Sequence, residues 1–259
     1  MKILVIAGTI DARQIIEALL RLDANITATT ATGLGRSLLN RYEGVDVREG
    51  RLDKGEMAEL MDEIGPHCLI DASHPFAREV SCNAIEACKI ASVPYLRYER
   101  PKTEVAGEGI LLAGDFEEAV DRLCSCPGNI LLTIGSKNLD VFTRVPDYQK
   151  RLFVRVLPDS RVLEKCEGLG LNAQNILAVK GPFSEEMNMA MLKYCDASVM
   201  VTKDSGSQGG NKEKISACRK LGIPVMMIER PRMDYGLKAS SVAEVVDFVK
   251  SLRERGDQP

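Results

Sequence analysis

Long apolar runs are missing from this sequence. The first one, residues 3 to 7, gives way at once to Gly8, Thr9, Asp11 and Arg13, which is too short and too soon polar for a signal peptide or a membrane span. The expected location is the cytoplasm. Runs of one charge sign are missing too: 34 basic and 37 acidic residues are spread along the chain and leave a formal net charge of −3. That distribution offers no nucleic-acid groove and no polybasic membrane anchor, so any anion site must be local. The 8 cysteines contain no C-x-x-C pair, and Cys124 and Cys126 stand alone as a C-x-C. Reduced packing thiols are expected, with no protein-bound metal.

What is present is an ordinary globular composition, 259 residues with 45% apolar content, enough for one large domain or two small ones. Short runs rich in Ile, Val and Leu alternate with helix-period segments, the pattern of βαβ units on a parallel sheet. Strands are expected at residues 2 to 7, 25 to 31, 45 to 48, 68 to 72, 94 to 98, 129 to 134, 152 to 156, 175 to 179, 197 to 202 and 224 to 229. Helices are expected at 11 to 22 and at 53 to 64, the second opened by Asp53 as N-cap and closed by Gly65-Pro66. Met187, Met189, Met191, Phe76, Phe142 and Phe153 read mostly as core.

The halves echo each other. Ala87-Cys88-Lys89, Val93-Pro94 and Glu99-Arg100-Pro101 return as Ala217-Cys218-Arg219, Ile223-Pro224 and Glu229-Arg230-Pro231, and Ile3-Leu4 through Gly8-Thr9 parallels Ile130-Leu131 through Gly135-Ser136. The expected fold is therefore α/β: two doubly wound Rossmann-like lobes with mainly parallel sheets and a ligand cleft between them. The lobes are placed at residues 1–105 and 106–259. Pro101, Gly107, Gly109 and Gly114 mark the connection, and the last helix is allowed to pack back on the first lobe.

Ligands of open parallel sheets bind beyond the carboxyl ends of the strands, and several strand ends here are chemically unusual. Gly8-Thr9-Ile10-Asp11-Ala12-Arg13 offers close backbone approach, a hydroxyl and a cation. It lacks the later glycines of G-x-G-x-x-G, so a plain tight turn is an equal reading. The second strand ends without an Asp or Glu for a ribose hydroxyl, and Arg36 lies just beyond for a phosphate or carboxylate, which leaves NADH and NADPH both open.

Ser73-His74-Pro75-Phe76-Ala77-Arg78 follows another apolar strand. His74, one of 2 histidines, suits an anion donor or a proton donor, or equally a side chain that caps its own loop. His67 reads as a surface residue. The richest segment is Thr202-Lys203-Asp204-Ser205-Gly206-Ser207-Gln208-Gly209-Gly210-Asn211-Lys212, whose glycines turn N–H groups toward an anion and whose lysines bring charge. A flexible surface loop is the alternative. Gly135, Ser136 and Arg155 repeat the theme at two further strand ends.

Together, G-T-I-D-A-R, D-A-S-H-P-F-A, L-R-Y-E-R-P, L-L-T-I-G-S-K-N-L, R-V-L-P and V-T-K-D-S-G-S-Q-G-G-N-K-E-K-I, in this order along nearly the whole chain, resemble the precorrin-6A reductase family. The resemblance implies hydride delivery from NADH or NADPH to a double bond in pyrrole ring D of a tetrapyrrole, with a proton added at the neighbouring carbon. The substrate would be precorrin-6A or cobalt-precorrin-6A. Any cobalt would belong to the substrate, and cysteines without an evident task favour the cobalt version.

Under this reading Gly8, Thr9, Arg13, Gly135, Ser136, Thr202, Ser205, Gly206, Gly209 and Lys212 are expected to hold the cofactor. Ser73, Phe76, Arg78, Arg36 and Arg155 are expected at the substrate. The proton donor is sought among His74, Lys203 and Asp204, in that order, with bulk water or a substrate carboxylate as the alternative source. A nucleotide-sugar glycosyltransferase, told apart by protection from unfolding by a nucleotide-sugar and not by NAD(P)H, and a non-catalytic two-lobed binding protein, whose periplasmic kind is disfavoured by the expected lack of a secretion signal, are the competing classes. No residue pattern speaks to the oligomeric state.

Overall fold

Ile3, Leu4 and Val5 are wholly withdrawn from solvent, as strands of a parallel sheet covered on both faces must be. The computed structural model describes residues 1–102, 109–206 and 209–256. The expected lobe boundary at 105–106, Gly107, Ser207 and Gln208 lie outside the described residues. In chain order the elements run β1 (Lys2–Ile6), α1 (Ile10–Leu20), β2 (Asn25–Thr30), α2 (Gly33–Leu39), β3 (Val45–Glu49), α3 (Lys54–Ile64), β4 (Cys68–Asp71), α4 (Arg78–Ala91) and β5 (Tyr95–Tyr98). They continue with β6 (Ile110–Ala113), α5 (Phe116–Cys124), β7 (Asn129–Leu132), α6 (Tyr148–Arg151), β8 (Leu152–Val156), α7 (Ser160–Gly168), β9 (Ile176–Ala178) and α8 (Glu185–Tyr194), and end with β10 (Ala197–Lys203), α9 (Asn211–Leu221), β11 (Val225–Ile228), β12 (Lys238–Ala239) and α10 (Val242–Gly256).

The chain divides into two units, Met1–Pro101 with Arg232–Pro259, and Lys102–Pro231. In the first, six parallel strands lie in the order β12-β5-β4-β1-β2-β3. Alternation along β1 feeds both faces: Ile3 and Val5 pack with Ile15, Ile16 and Leu19 of α1, whereas Leu4 and Ile6 pack with Met57 and Met61 of α3 and Ala84 and Ala87 of α4. Val245 and Val249 of α10 close the α1 face. Residues from 232 onward, assigned by sequence to the second lobe apart from a returning last helix, thus belong to the first unit. Asp53 caps α3 in a capping box with Glu56, and Gly65 closes that helix in the left-handed region at φ 61°.

In the second unit the order is β6-β11-β10-β7-β8-β9, again parallel throughout. Here β7 takes the central place of β1, β10 that of β4 and β11 that of β5, so the sequence echoes fall on equivalent elements. Cys88 and Cys218, the echoed cysteines, are both buried and free, and burial pushes each thiol up to about 12. Two of the four edge strands, β6 and β12, are the ones the sequence did not announce. Strand β6 follows β5 along the chain but pairs with β11, and β12 follows β11 but pairs with β5. Among the described residues no helix is long and apolar enough to cross a membrane.

Candidate functional site

Both sheets gather polar side chains where their strands end. In the first unit Gly8 follows β1 at φ 145°, exposed, with no atom within 4 Å of the place a Cβ would take. Thr9 is extended and caps α1: its Oγ1 accepts from Ala12 N at 3.1 Å and donates to Ala72 O at 2.9 Å. One hydroxyl therefore fixes the turn and ties the end of β1 to that of β4. Asp11 is buried in an ion pair with Arg100, and Arg13 is half-buried on α1. The open ground above Gly8, beside a capped helix start, fits a diphosphate. Arg36 is exposed on α2, 3.8 Å from Glu49 Oε2 at the end of β3, so an anion there would compete with a carboxylate.

The end of β4 is built on a buried network. Arg97 Nη1 donates to Ser73 Oγ at 2.9 Å and Nη2 to Ser73 O at 3.1 Å, while the same guanidinium pairs with Asp71. Asp71 also accepts from Ser73 N, Ser81 Oγ and Tyr95 Oη. Ser73, expected at the substrate, is thereby part of the framework. His74 follows it half-buried, its Nδ1 accepting from Phe76 N at 3.2 Å. That bond leaves the ring proton on Nε2. Phe76 is half-buried beside the imidazole, centroids 5.9 Å apart, and Arg78 is exposed at the first residue of α4. His67 lies in the bend that precedes β4, at the opposite end of that strand from these groups, and accepts from Lys2 N.

In the second unit Gly135 repeats Gly8: exposed, φ 76°, with nothing within 4 Å of a Cβ, and Ser136 is half-buried beside it. After β10, Lys203 is held down to about 8 by burial and then by Lys137. Asp204 spends its carboxylate on Arg230 Nε at 3.2 Å and on Gly206 N. Ser205 and Gly206 are buried, Gly206 at φ 72°. Gly209 lies so close to Ser205 that a Cβ would stand 2.5 Å from the serine Cβ. Thr202 is wholly buried.

Lys212 is exposed, whereas Lys214, two residues on, is buried and donates to Thr202 Oγ1, Gly209 O and Asn211 Oδ1 at 3.1, 3.0 and 3.3 Å. Burial, then Arg155 and Lys203, hold its ammonium down to about 7. Arg155 on β8 is buried against Asn188, Met191 and Phe183, and that burial lowers it to about 10. Met191 is core, but Met187 is exposed.

Sequence reasoning passed over Arg97, Tyr95, Arg230, Asn188 and Lys214. A signal existed for Lys214: Asn211, Lys214, Ala217 and Cys218 form one helical stripe, and that stripe is the buried face of α9.

The family model of precorrin-6x reductase CbiJ/CobK matches residues 2–250. A cobalt-precorrin-6A reductase of Priestia megaterium is 41% identical over 246 residues, 94% of this chain and 96% of the relative. That of Methanothermobacter thermautotrophicus is 37% identical over 263 residues, covering 99% and 86%. A precorrin-6A reductase of Rhodococcus erythropolis is 30% identical over 259 residues, covering 98% and 99%. A solved structure of CobK precorrin-6A reductase shares the fold with a TM-score of 0.76 at 24% identity, over 97% of both chains. Fold, strand-end chemistry and relatives of matching length agree, and the chain belongs to the precorrin-6x reductase CbiJ/CobK family, a family of oxidoreductases.

Proposed function

We propose that the chain reduces the ring-D double bond of the tetrapyrrole precorrin-6A to give precorrin-6B in cobalamin biosynthesis, with NADH or NADPH as reductant. The observation that carries the reading is the set of cationic and hydroxyl side chains at the carboxyl ends of both parallel sheets, in a chain whose relatives bear this activity in their names. The cobalt-containing ring is the favoured substrate, supported by the names of the relatives at 41% and 37% identity. Its cobalt is substrate, without a protein ligand.

The nicotinamide, when bound, supplies a hydride, and the protein's part is orientation, charge and a proton. Gly8 and Thr9 suit the cofactor diphosphate in the first unit, with Arg13 within one helical turn of them. Gly135 and Ser136 offer the corresponding turn in the second. Arg78, Arg36 and Arg155 suit the acetate and propionate carboxylates that fringe the macrocycle, and Phe76 suits its apolar face.

His74 is the first candidate for the proton, because Nε2 is the ring nitrogen left holding one when Nδ1 accepts from Phe76. Lys203, held down to about 8, is the second. Asp204, the third, is tied to Arg230, and its part is to anchor the loop that follows β10.

The test is an anaerobic incubation of the purified protein with cobalt-precorrin-6A or precorrin-6A and each reduced nicotinamide, following cofactor absorbance and product mass together. Oxidation of one cofactor with a matching dihydro product supports the reading and identifies coenzyme and ring. Turnover of neither ring with either cofactor overturns it.

A further inference from the structure

Strand β2 ends at Thr30 without an acid of its own, yet a carboxylate stands at its tip. Thr30 is paired in register with Glu49, the last residue of β3, and Gly50 N donates to Thr30 O at 2.9 Å, so the two strands end level. The Glu49 side chain turns toward the start of α2: Oε1 and Oε2 stand 3.5 and 4.0 Å from the place a Cβ would take on Gly33, and Oε2 lies 3.8 Å from Arg36 Nη1. Gly35 lets α2 close onto β2, since a Cβ there would stand 2.0 Å from Thr30 Oγ1.

The neighbouring acids are committed elsewhere. Asp46 and Glu63 pair with Arg48, and Asp53 and Glu56 cap α3. Among the described residues Glu49 has one charged partner, Arg36, at a distance beyond that of a hydrogen bond, so its oxygens are left to accept from a ligand. Strands β1, β2 and β3 are consecutive in the sheet. Glu49 therefore stands two strand spacings, about 10 Å, across from the end of β1, where the Gly8-Thr9 turn suits a diphosphate. A dinucleotide anchored at that turn carries its adenosine ribose across the end of β2. The vicinal hydroxyls of that ribose donate hydrogen bonds, which a carboxylate accepts, whereas a 2′-phosphate brings negative charge against it.

We propose that Glu49 is the specificity-determining residue for the coenzyme: its carboxylate accepts from the adenosine ribose hydroxyls and rejects a 2′-phosphate, so that the chain selects NADH over NADPH, and Arg36 is the positioning residue that steers this carboxylate. The acid that β2 lacks is supplied by the tip of the next strand. The inference deepens the functional reading and rests on it for the nicotinamide coenzyme and for the place of its diphosphate.

Equilibrium binding of NADH, NADPH and the 2′-deoxyadenosine analogue of NADH to the full chain tests it. Wild type binds NADH about tenfold or more tighter than either of the others. Glu49→Gln removes most of both preferences, and it tightens NADPH because Arg36 then meets the phosphate without a counter-ion. Adding Arg36→Met takes that gain away. Glu49→Asp keeps the charge and part of the preference for NADH. The Glu49 and Arg36 side chains are 36% and 54% exposed, so the melting temperature stays in place, whereas a merely structural Glu49 would lower it and weaken both coenzymes alike.

Wild-type preference for NADPH, binding of neither coenzyme, an equal loss toward the deoxy analogue in wild type and Glu49→Gln, or an NADH-to-NADPH ratio in Glu49→Gln within about twofold of wild type overturns the proposal. Wild-type turnover of cobalt-precorrin-6A and precorrin-6A is recorded in parallel. Turnover with a coenzyme ratio that Glu49→Gln leaves unmoved rejects the role of Glu49 alone, and a ratio that Glu49→Gln does move, without turnover of either ring, rejects the reductase reading alone.

Discussion

Arg97 Nη1 lies 2.7 Å from Asp71 Oδ1, with both side chains at 0% exposure. The pair joins neighbouring strands β4 and β5, and through Ser73 it holds the turn that carries His74. Tyr235, in the segment leading to β12, places its ring centroid 4.9 Å from the same guanidinium.

Removing one partner of this pair leaves the other charge buried. Arg97→Met is expected to cost about 3–5 kcal/mol, read from urea midpoints, and to lower reductase turnover with it because the Ser73–His74 turn loses its support. The double variant Arg97→Met, Asp71→Leu leaves no buried charge and is expected to regain part of the stability without the turnover. A single variant within about 1 kcal/mol of wild type would show that the pair is not the keystone of this turn.

Stability should rise with pH between about 7 and about 8.5. Burial, then Arg155 and Lys203, hold Lys214 down to about 7, and burial, then Lys137, hold Lys203 down to about 8, against about 10.4 in the unfolded chain. Between those values the unfolded chain binds protons that the fold does not. The two lysines therefore add to the unfolding free energy as pH rises through that window, by up to about 1.4 kcal/mol per pH unit each, and their full penalty stands below it; above about pH 8.5 the buried thiols of Cys68, Cys88, Cys195 and Cys218, pushed up to about 12, act the other way. Urea melts at a series of pH values should show a shallower rise for Lys214→Met than for wild type. Parallel curves would contradict the assignment.

Gly209→Ala is a steric test of the loop after β10. The new methyl would stand 2.5 Å from Ser205 Cβ, so the loop must shift. Turnover is expected to fall by about tenfold or more while stability drops by only about 1–3 kcal/mol. Unchanged kcat/KM would place the chemistry elsewhere.

Two caps separate framework from site. Asp53→Ala removes the capping box of α3 and is expected to cost about 1 kcal/mol with kcat/KM unchanged. Thr9→Val costs a similar amount and also breaks the tie to Ala72, so it is expected to raise the KM for the nicotinamide as well. If both substitutions act on stability alone, the turn after β1 is only a turn.

Much of the fold was legible because strands buried on both faces read as apolar runs, and because the echo of Ala87-Cys88-Lys89 at Ala217-Cys218-Arg219 falls on equivalent helices. The edge strands β6 and β12 were not. β12 is two residues long, and β6 exposes Leu111 and Leu112, so neither carries the signature of a buried strand. Strand ends could be read as candidate sites, but not which side chains face a ligand. Nothing local marks Arg97 as the partner of Asp71, 26 positions away, and that pairing turns Ser73 from a candidate contact into a support. Family membership replaces the nucleotide-sugar transferase and binding-protein alternatives, which strand order alone left standing.

The central claim is that a nicotinamide hydride reaches the macrocycle on this protein. Anaerobic incubation with cobalt-precorrin-6A and NADH or NADPH deuterated at the transferable C4 position tests it in one mass spectrum. The account predicts a dihydro product carrying one deuterium on the ring. A product without the label, or an unreduced ring beside intact cofactor, would contradict it.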